Sequence, residues 1–487
     1  MEFTTLAKAI EKIKDGSFIT FSGMELNRAP MALIFEIARQ KKKNLKIISI
    51  PNPLAADVLI KNNCVREAIF GFNGFSYEDG FVIAPNWRKA IENGLIKWKE
   101  TDILEIIQAL KAAALGLNEI EVSSFKNTNY LKFNEYKKSG GSIMTNALNP
   151  DFALIHAQYA DRKGNVFIND PLIDKLIAKA SKKVIVSVEK IADKLEEITI
   201  PAEKIDFIVE IKNGALPTSC FKFYNYDAKK IREYLSNGKN NGNEKPAKNE
   251  IEKKQTDYII TTLADFIIDN KSVATGVASP LPMLATMFAR KLGKKFNYFN
   301  CGSGAINPDI KSPAYSSVTV NALERKDSFI ELDKVWDFAL KGDIDLMFFG
   351  AVQISKKGEA NITCIGDYKK PKVKLPGPAG AVTLRNLCKR TIITTQNHSK
   401  RTFVDKVDFI TTSSDNDTIV ISNLGILKLG KKPEILGYYP VSSIWEIKDN
   451  TGFDLEDVNA KKLSELTDKD IKILNEIDPE GIRYRIR

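Results

Sequence analysis

Between Phe18 and Ile50 the pattern of apolar positions switches twice. "SFITFSG" is a short β-rich run closed by Gly23, "APMALIFEIARQ" carries its apolar residues at helical spacing, and "LKIISI" is again a dense apolar run. The pattern predicts strand, helix, strand, the unit from which parallel sheets are built. "DNKSVATGVASPLPMLATMFARKLGKKFNYFN" repeats it. There a β-rich run ends at Gly276, Pro282-Met283 stand for Pro30-Met31, Ala289-Arg290 stand for Ala38-Arg39, and lysines precede the next strand.

A second echo follows in the same order. "DFALIHAQYADRKGNVFI", from Asp151, and "DLMFFGAVQISKKGEANI", from Asp345, each read as a buried-type strand, a Lys-Gly turn and a return strand. Between the two series lies "SNGKNNGNEKPAKNEIEKKQ", which has too little apolar surface to order itself. The chain is therefore expected to hold one α/β domain over residues 1–235, a flexible polar linker over 236–255 and a related α/β domain over 256–487. Further helices are expected over 101–115, with Thr101 as N-cap, and over 171–181.

Hydrophobic residues make up 43% of the chain and charged residues 27%, ordinary for a soluble globular protein. No stretch reaches the roughly 18 apolar residues of a membrane span. The amphipathic start lacks the apolar run of a signal peptide, so a cytoplasmic protein with no membrane partner is expected. The five cysteines are scattered without a CxxC pair, and His156 and His398 are the only histidines; neither a disulfide framework nor a metal site is expected. The net charge of +11 is spread along the chain and partly matched by acids. That distribution fits solvated lysines and, beyond them, an anionic small molecule better than a nucleic acid.

The run "NYFNCGSG" places an amide, a thiol and two glycines in one tight turn after a strand. Glycines let the backbone bend sharply or approach a ligand closely. Three readings stay open: Asn300 donates a hydrogen bond to an acyl or enolate oxygen, Cys301 supplies a nucleophilic thiol, or the turn is structural.

Ordered segments then carry a resemblance. Through "NRAPMALIFEIARQ", "NPDFALIHAQYADRKGNV" and "NGALPTSCFKFYNYD" the first half resembles the A subunit of glutaconate CoA-transferase, a family I CoA-transferase. Through "FFGAVQISKKGEANITCIGDYKKPK", "GPAGA", "NHSKRTFVDKVDFIT" and "NTGFDL" the second half resembles the B subunit. The resemblance implies two related NagB/RpiA-like α/β domains with parallel-rich sheets, an active site where they meet, and a homo-oligomer of the fused chain. It implies an acyl-CoA and a carboxylic acid as substrates, with coenzyme A carried as the thioester.

The nucleophile in members of that family is a glutamate, held in a short turn of the second of these two parts. The matching turn puts Asn300 at its position, followed by Cys301, and no Asp or Glu lies between Asp269 and Asp309. CoA transfer is the expected reaction class, with that carboxylate missing. A thioester or carbon–carbon hydrolase of the same fold and a non-catalytic acyl-CoA-binding protein are the alternatives. In similar hydrolases a glutamate base comes from the stretch matching residues 99–106, where Ile103 takes its place beside Glu100, Asp102 and Glu105. Segments that contact CoA in the family match Gly350, Ala351, Gln353, Gly377 and Gly380, and Lys400 is available to a phosphate. A turn on the acyl side matches Gly23, Asn27 and Arg28, where arginine offers a two-pronged donor for a substrate carboxylate.

Overall fold

The computed structural model describes residues 1–139, 142–236, 247–269 and 271–486. The first half is built on a sheet of nine strands, the second on a sheet of ten. In the first, Phe18–Phe21 lies between Phe152–Asp161 and Leu45–Ser49, all parallel. In the second, Ser272–Thr275 lies between Leu346–Gly350 and Asn297–Asn300, again all parallel. The two echoes in the sequence thus occupy corresponding places in two sheets. Helices Met31–Arg39 and Pro280–Lys291 make the equivalent crossovers, which parallel neighbours require. Strands 18–21 and 272–275 are almost wholly buried, as expected for strands covered on both faces.

Two boundaries differ from expectation. The helix Glu250–Asp265 claims residues 250–255 from the segment read as linker, while residues 237–246 lie outside the described residues. Its start is a capping box: Asn249 Oδ1 accepts from Glu252 N at 2.9 Å and Glu252 Oε2 accepts from Asn249 N at 2.8 Å. Local hydrogen bonding orders this turn where apolar burial does not. The helix expected over 101–115 runs Ile103–Ala114 and is capped by Asp102, not Thr101. The helix expected over 171–181 runs Asp174–Ala180.

The halves meet through backbone as much as through side chains. Asn73 N donates to Pro376 O (2.7 Å), Ile103 N to Ala379 O (2.8 Å), Ala379 N to Gly71 O (2.8 Å) and Leu332 N to Leu172 O (2.8 Å). Asp102 serves both halves. Its Oδ1 caps its own helix at Leu104 N (2.9 Å), and its Oδ2 accepts from Val382 N (2.9 Å) and Thr383 N (3.2 Å) at the start of the helix Ala381–Leu387. Gly377 sits at φ +106°, and a Cβ there would stand 2.7 Å from both Glu100 Oε1 and Gly71 O, so only glycine lets the loop approach. One hydrophobic core runs across the junction and includes Ile103 and Tyr130 from the first half with Trp336 and Val382 from the second. Among the described residues no helix is long and apolar enough to cross a membrane.

Candidate active site

Clefts in parallel sheets open at the carboxyl ends of the strands. Here the chain leaves those ends at Gly276, Cys301, Gly350 and Thr395, and all four border one cavity of about 870 Å³. The first half closes it with Met24, Phe72, Ser76, Phe81 and Ile103. The cavity therefore lies between the two halves.

The turn at 300–304 shows which of its side chains is available. Asn300 is fully buried: its Nδ2 donates to Ser317 O (3.0 Å) and its Oδ1 accepts from Ser303 N (3.3 Å). Its amide holds the turn and does not border the cavity, which corrects the reading of Asn300 as a donor to substrate. Cys301 does border it. Burial pushes the Cys301 thiol up to about 12, opposed only by a backbone hydrogen bond, so the group is neutral at physiological pH. A neutral thiol with no base beside it is a poor nucleophile. Gly302 is required next to it, because a Cβ would stand 2.6 Å from Val318 Cγ2.

Of the residues expected to face CoA, Gly350, Ala351, Gly377 and Gly380 border the cavity. Gln353 does not: its Oε1 accepts from Asn361 Nδ2 (2.7 Å) and Asp408 N (3.0 Å). Lys400 stands exposed, 3.6 Å from Asp449, outside the cavity wall.

The acyl-side loop also departs from expectation. All five donors of Arg28 are engaged within the first half: Nε with Asp170 Oδ1, Nη1 with His156 O and Asp174 Oδ1, Nη2 with Asp170 O and Asp174 Oδ2, at 2.6–2.9 Å. Arg28 is 1% exposed and braces the fold; it has no donor left for a substrate carboxylate. Asn27 Oδ1 accepts from Ser219 Oγ, and Gly23 packs on the backbone of residues 27–29. From this loop it is Met24 that reaches the cavity.

The carboxylates near the site are turned away from it. Glu100 is buried against Lys374, Asp102 caps two helices, and Glu105 accepts from Lys99 Nζ (2.6 Å), Tyr136 OH (2.7 Å) and Thr145 Oγ1 (3.1 Å). Ile103, between them in sequence, borders the cavity. Glu25 is buried across the junction, where its carboxylate accepts from Ala278 N (2.9 Å) and Ser316 Oγ (2.7 Å), and burial pushes it up to about 7. Sequence reasoning missed Glu25 and Met24, which lie inside a stretch it had singled out for other residues. It also missed the polar edge of the cavity formed by Lys248, Gln396, Asn397 and Asn423, of which only Asn397 lies in a segment that carries the resemblance. There Lys248 Nζ donates to Thr256 Oγ1 (2.8 Å) and Gln396 Oε1 (2.7 Å).

Both histidines are held by hydrogen bonds. His398 sits between Ser422 Oγ (2.8 Å) and Thr451 Oγ1 (3.0 Å), stacked on Phe403, and burial lowers it to about 3. His156, Glu189 and Cys220 come close enough to share an ion, yet the His156 ring already pairs with Ser187 Oγ and Glu189 Oε1, both at 2.9 Å.

Known proteins resemble both halves. A family model described as "Coenzyme A transferase" matches residues 3–210 and 256–438. The chain is 28% identical over 242 residues to the A subunit of 3-oxoadipate CoA-transferase from Pseudomonas knackmussii, covering 46% of this chain and 84% of that one. It is 34% identical over 154 residues to the B subunit of glutaconate CoA-transferase from Acidaminococcus fermentans, covering 28% of this chain and 57% of that one. The crystal structure of the acyl-CoA transferase YdiF of E. coli O157:H7, in a thioester complex with CoA, is similar over 95% of both chains with a TM-score of 0.74 at 16% identity, a likeness of fold.

Proposed function

Because the chain belongs to the coenzyme A transferase family, we propose that it moves CoA between an acyl-CoA and a carboxylic acid in the cavity between its halves, with both substrates bound at once. The turn at 300–304 carries this reading. The side chain it sets against the cavity is the Cys301 thiol, and the one carboxylate among the described lining residues, Glu252, caps its own helix. On this reading CoA is not stored on a glutamyl carrier of the protein.

A thioester is exchanged without such a carrier when the acceptor carboxylate itself attacks the thioester carbonyl. The C–S bond breaks, CoA leaves as thiolate, and a mixed anhydride of the two acids forms. The thiolate then attacks the carbonyl of the former acceptor, the anhydride C–O bond breaks, and the donor acid departs. The protein's part is proximity and oriented backbone dipoles for the developing oxyanion. Gly302, Gly350 and Gly380 border the cavity with no side chain of their own.

Hydrolysis is the second reading, favoured by the missing carboxylate, although the position expected for a base is Ile103. Incubation with hexanoyl-CoA in ¹⁸O-enriched water, with and without butyrate, separates the two. The expected result is butyryl-CoA only when butyrate is present, intersecting double-reciprocal lines, and no CoA bound covalently to the protein. ¹⁸O-labelled hexanoate formed without butyrate would overturn transfer in favour of hydrolysis.

A further inference from the structure

We infer that the acyl pocket is built for apolar acyl groups with no second charge, which makes monocarboxylic acids the substrates and excludes dicarboxylic ones. The inference rests on the reading that this cavity holds an acyl-CoA, and adds which class.

The two walls of the cavity differ in chemistry. The five residues from the first half are all uncharged, and all but Ser76 are apolar. Met24, Ile103, Cys301, Leu332, Val335 and Trp336 belong to one hydrophobic cluster and are 1–5% exposed. The thiol thus belongs to an apolar cluster, with its hydrogen directed to Phe299 O. The Trp336 indole N–H donates to Thr383 Oγ1 at 2.7 Å, so even this group has nothing left for a ligand. The charged groups that the sequence places nearby point elsewhere: Arg28 to Asp170 and Asp174, Glu100 to Lys374, Asp102 to the helix at 381–387.

The only charged residues among the described lining, Lys248 and Glu252, lie at the start of the helix Glu250–Asp265, on the same cavity edge as Gln396, Asn397 and Asn423. This asymmetry orients an acyl-CoA. The polar handle runs along the amide-bearing edge, and the acyl group lies against Ile103 and Trp336. A carboxylate at the far end of the acyl group would lose its water there and meet no cation, only the Ser76 hydroxyl.

Isothermal titration of the full chain with CoA, butyryl-CoA, hexanoyl-CoA and glutaryl-CoA at fixed pH and salt tests this. The affinity is expected to rise about fourfold per added CH₂. Glutaryl-CoA is expected to bind on the order of 100-fold more weakly than hexanoyl-CoA. Ile103→Arg, which places a cation in the pocket, is expected to reverse that order. Wild-type protein that binds CoA but takes glutaryl-CoA as tightly as hexanoyl-CoA would overturn the inference and leave the proposed function standing. No binding of CoA or any thioester would overturn the function itself. The wild-type series decides alone if thermal unfolding shows that Ile103→Arg does not fold.

Discussion

Lys374 Nζ lies 2.9 Å from Oε1 and 2.8 Å from Oε2 of Glu100, across the junction of the halves, and neither side chain has any exposure. The ammonium also donates to Thr363 O (2.6 Å) and Leu375 O (3.0 Å), so its three protons all have acceptors. Removing one partner of such a pair leaves an uncompensated buried charge and typically costs about 3–5 kcal/mol, whereas removing both costs much less. Lys374→Met and Glu100→Gln are each expected to lower the urea midpoint strongly. The double variant is expected to recover a large part of the loss. Additive losses would show that the pair is not coupled.

Position 301 is where a side chain reaches the cavity, yet its thiol is neutral. Cys301→Ala is expected to keep activity within a few-fold, and iodoacetamide at pH 8 is expected to leave Cys301 unmodified in the native protein. Cys301→Glu is expected to introduce a carboxylate where a covalent carrier can act. Mass spectrometry after mixing with hexanoyl-CoA should then find CoA bound to the protein, with kinetics changing to parallel lines. If Asn300→Glu yields that adduct and Cys301→Glu does not, the assignment of the reactive position is wrong by one residue.

Gly350 ends a central strand, and a Cβ built there meets nothing within 4 Å. Gly350→Leu therefore fills cavity space without a clash. The expected outcome is loss of CoA binding by calorimetry with a melting temperature close to wild type. A large fall in melting temperature would show that the glycine serves packing instead.

Burial pushes the Glu25 carboxyl from 4.5 up to about 7. A folded-state value above the unfolded one means the native protein holds a proton that the unfolded chain has already released. Stability from this group is complete below pH 4.5 and is lost as pH rises to 7, by about 3 kcal/mol at most. Asp102, raised to about 7 by burial, acts in the same direction. Urea unfolding at pH 5, 6, 7 and 8 should show stability falling with pH, and Glu25→Gln should reduce that slope by up to one proton. An unchanged slope would place the Glu25 titration outside this window.

The paired strands around 18–21 and 272–275 could be read from sequence because a doubly covered strand needs a run of apolar residues that survives without any tertiary detail. The glycines at 377 and 380 could be placed because a close approach leaves few alternatives to glycine, whereas at Gly350 the space beside the backbone is open. Orientation within the turn was not legible: a shift of one residue decides whether Asn300 or Cys301 faces the cavity, and a tight turn has no period from which to read it. Arg28 looked like a clamp because its partners, Asp170 and Asp174, are distant in the chain and near only in the fold. Lys374 sits in "KKPKVKLPG", where each lysine looks like a solvated one.

The contacts that seal the cavity at residues 71–73, 103, 376 and 379 run from peptide N–H to peptide C=O. Such contacts do not depend on which side chains stand beside them. Ile103 and Cys301 border the cavity with side chains that take no part in those peptide contacts. At these four points the container is specified by its backbone, separately from the side chains that face its contents.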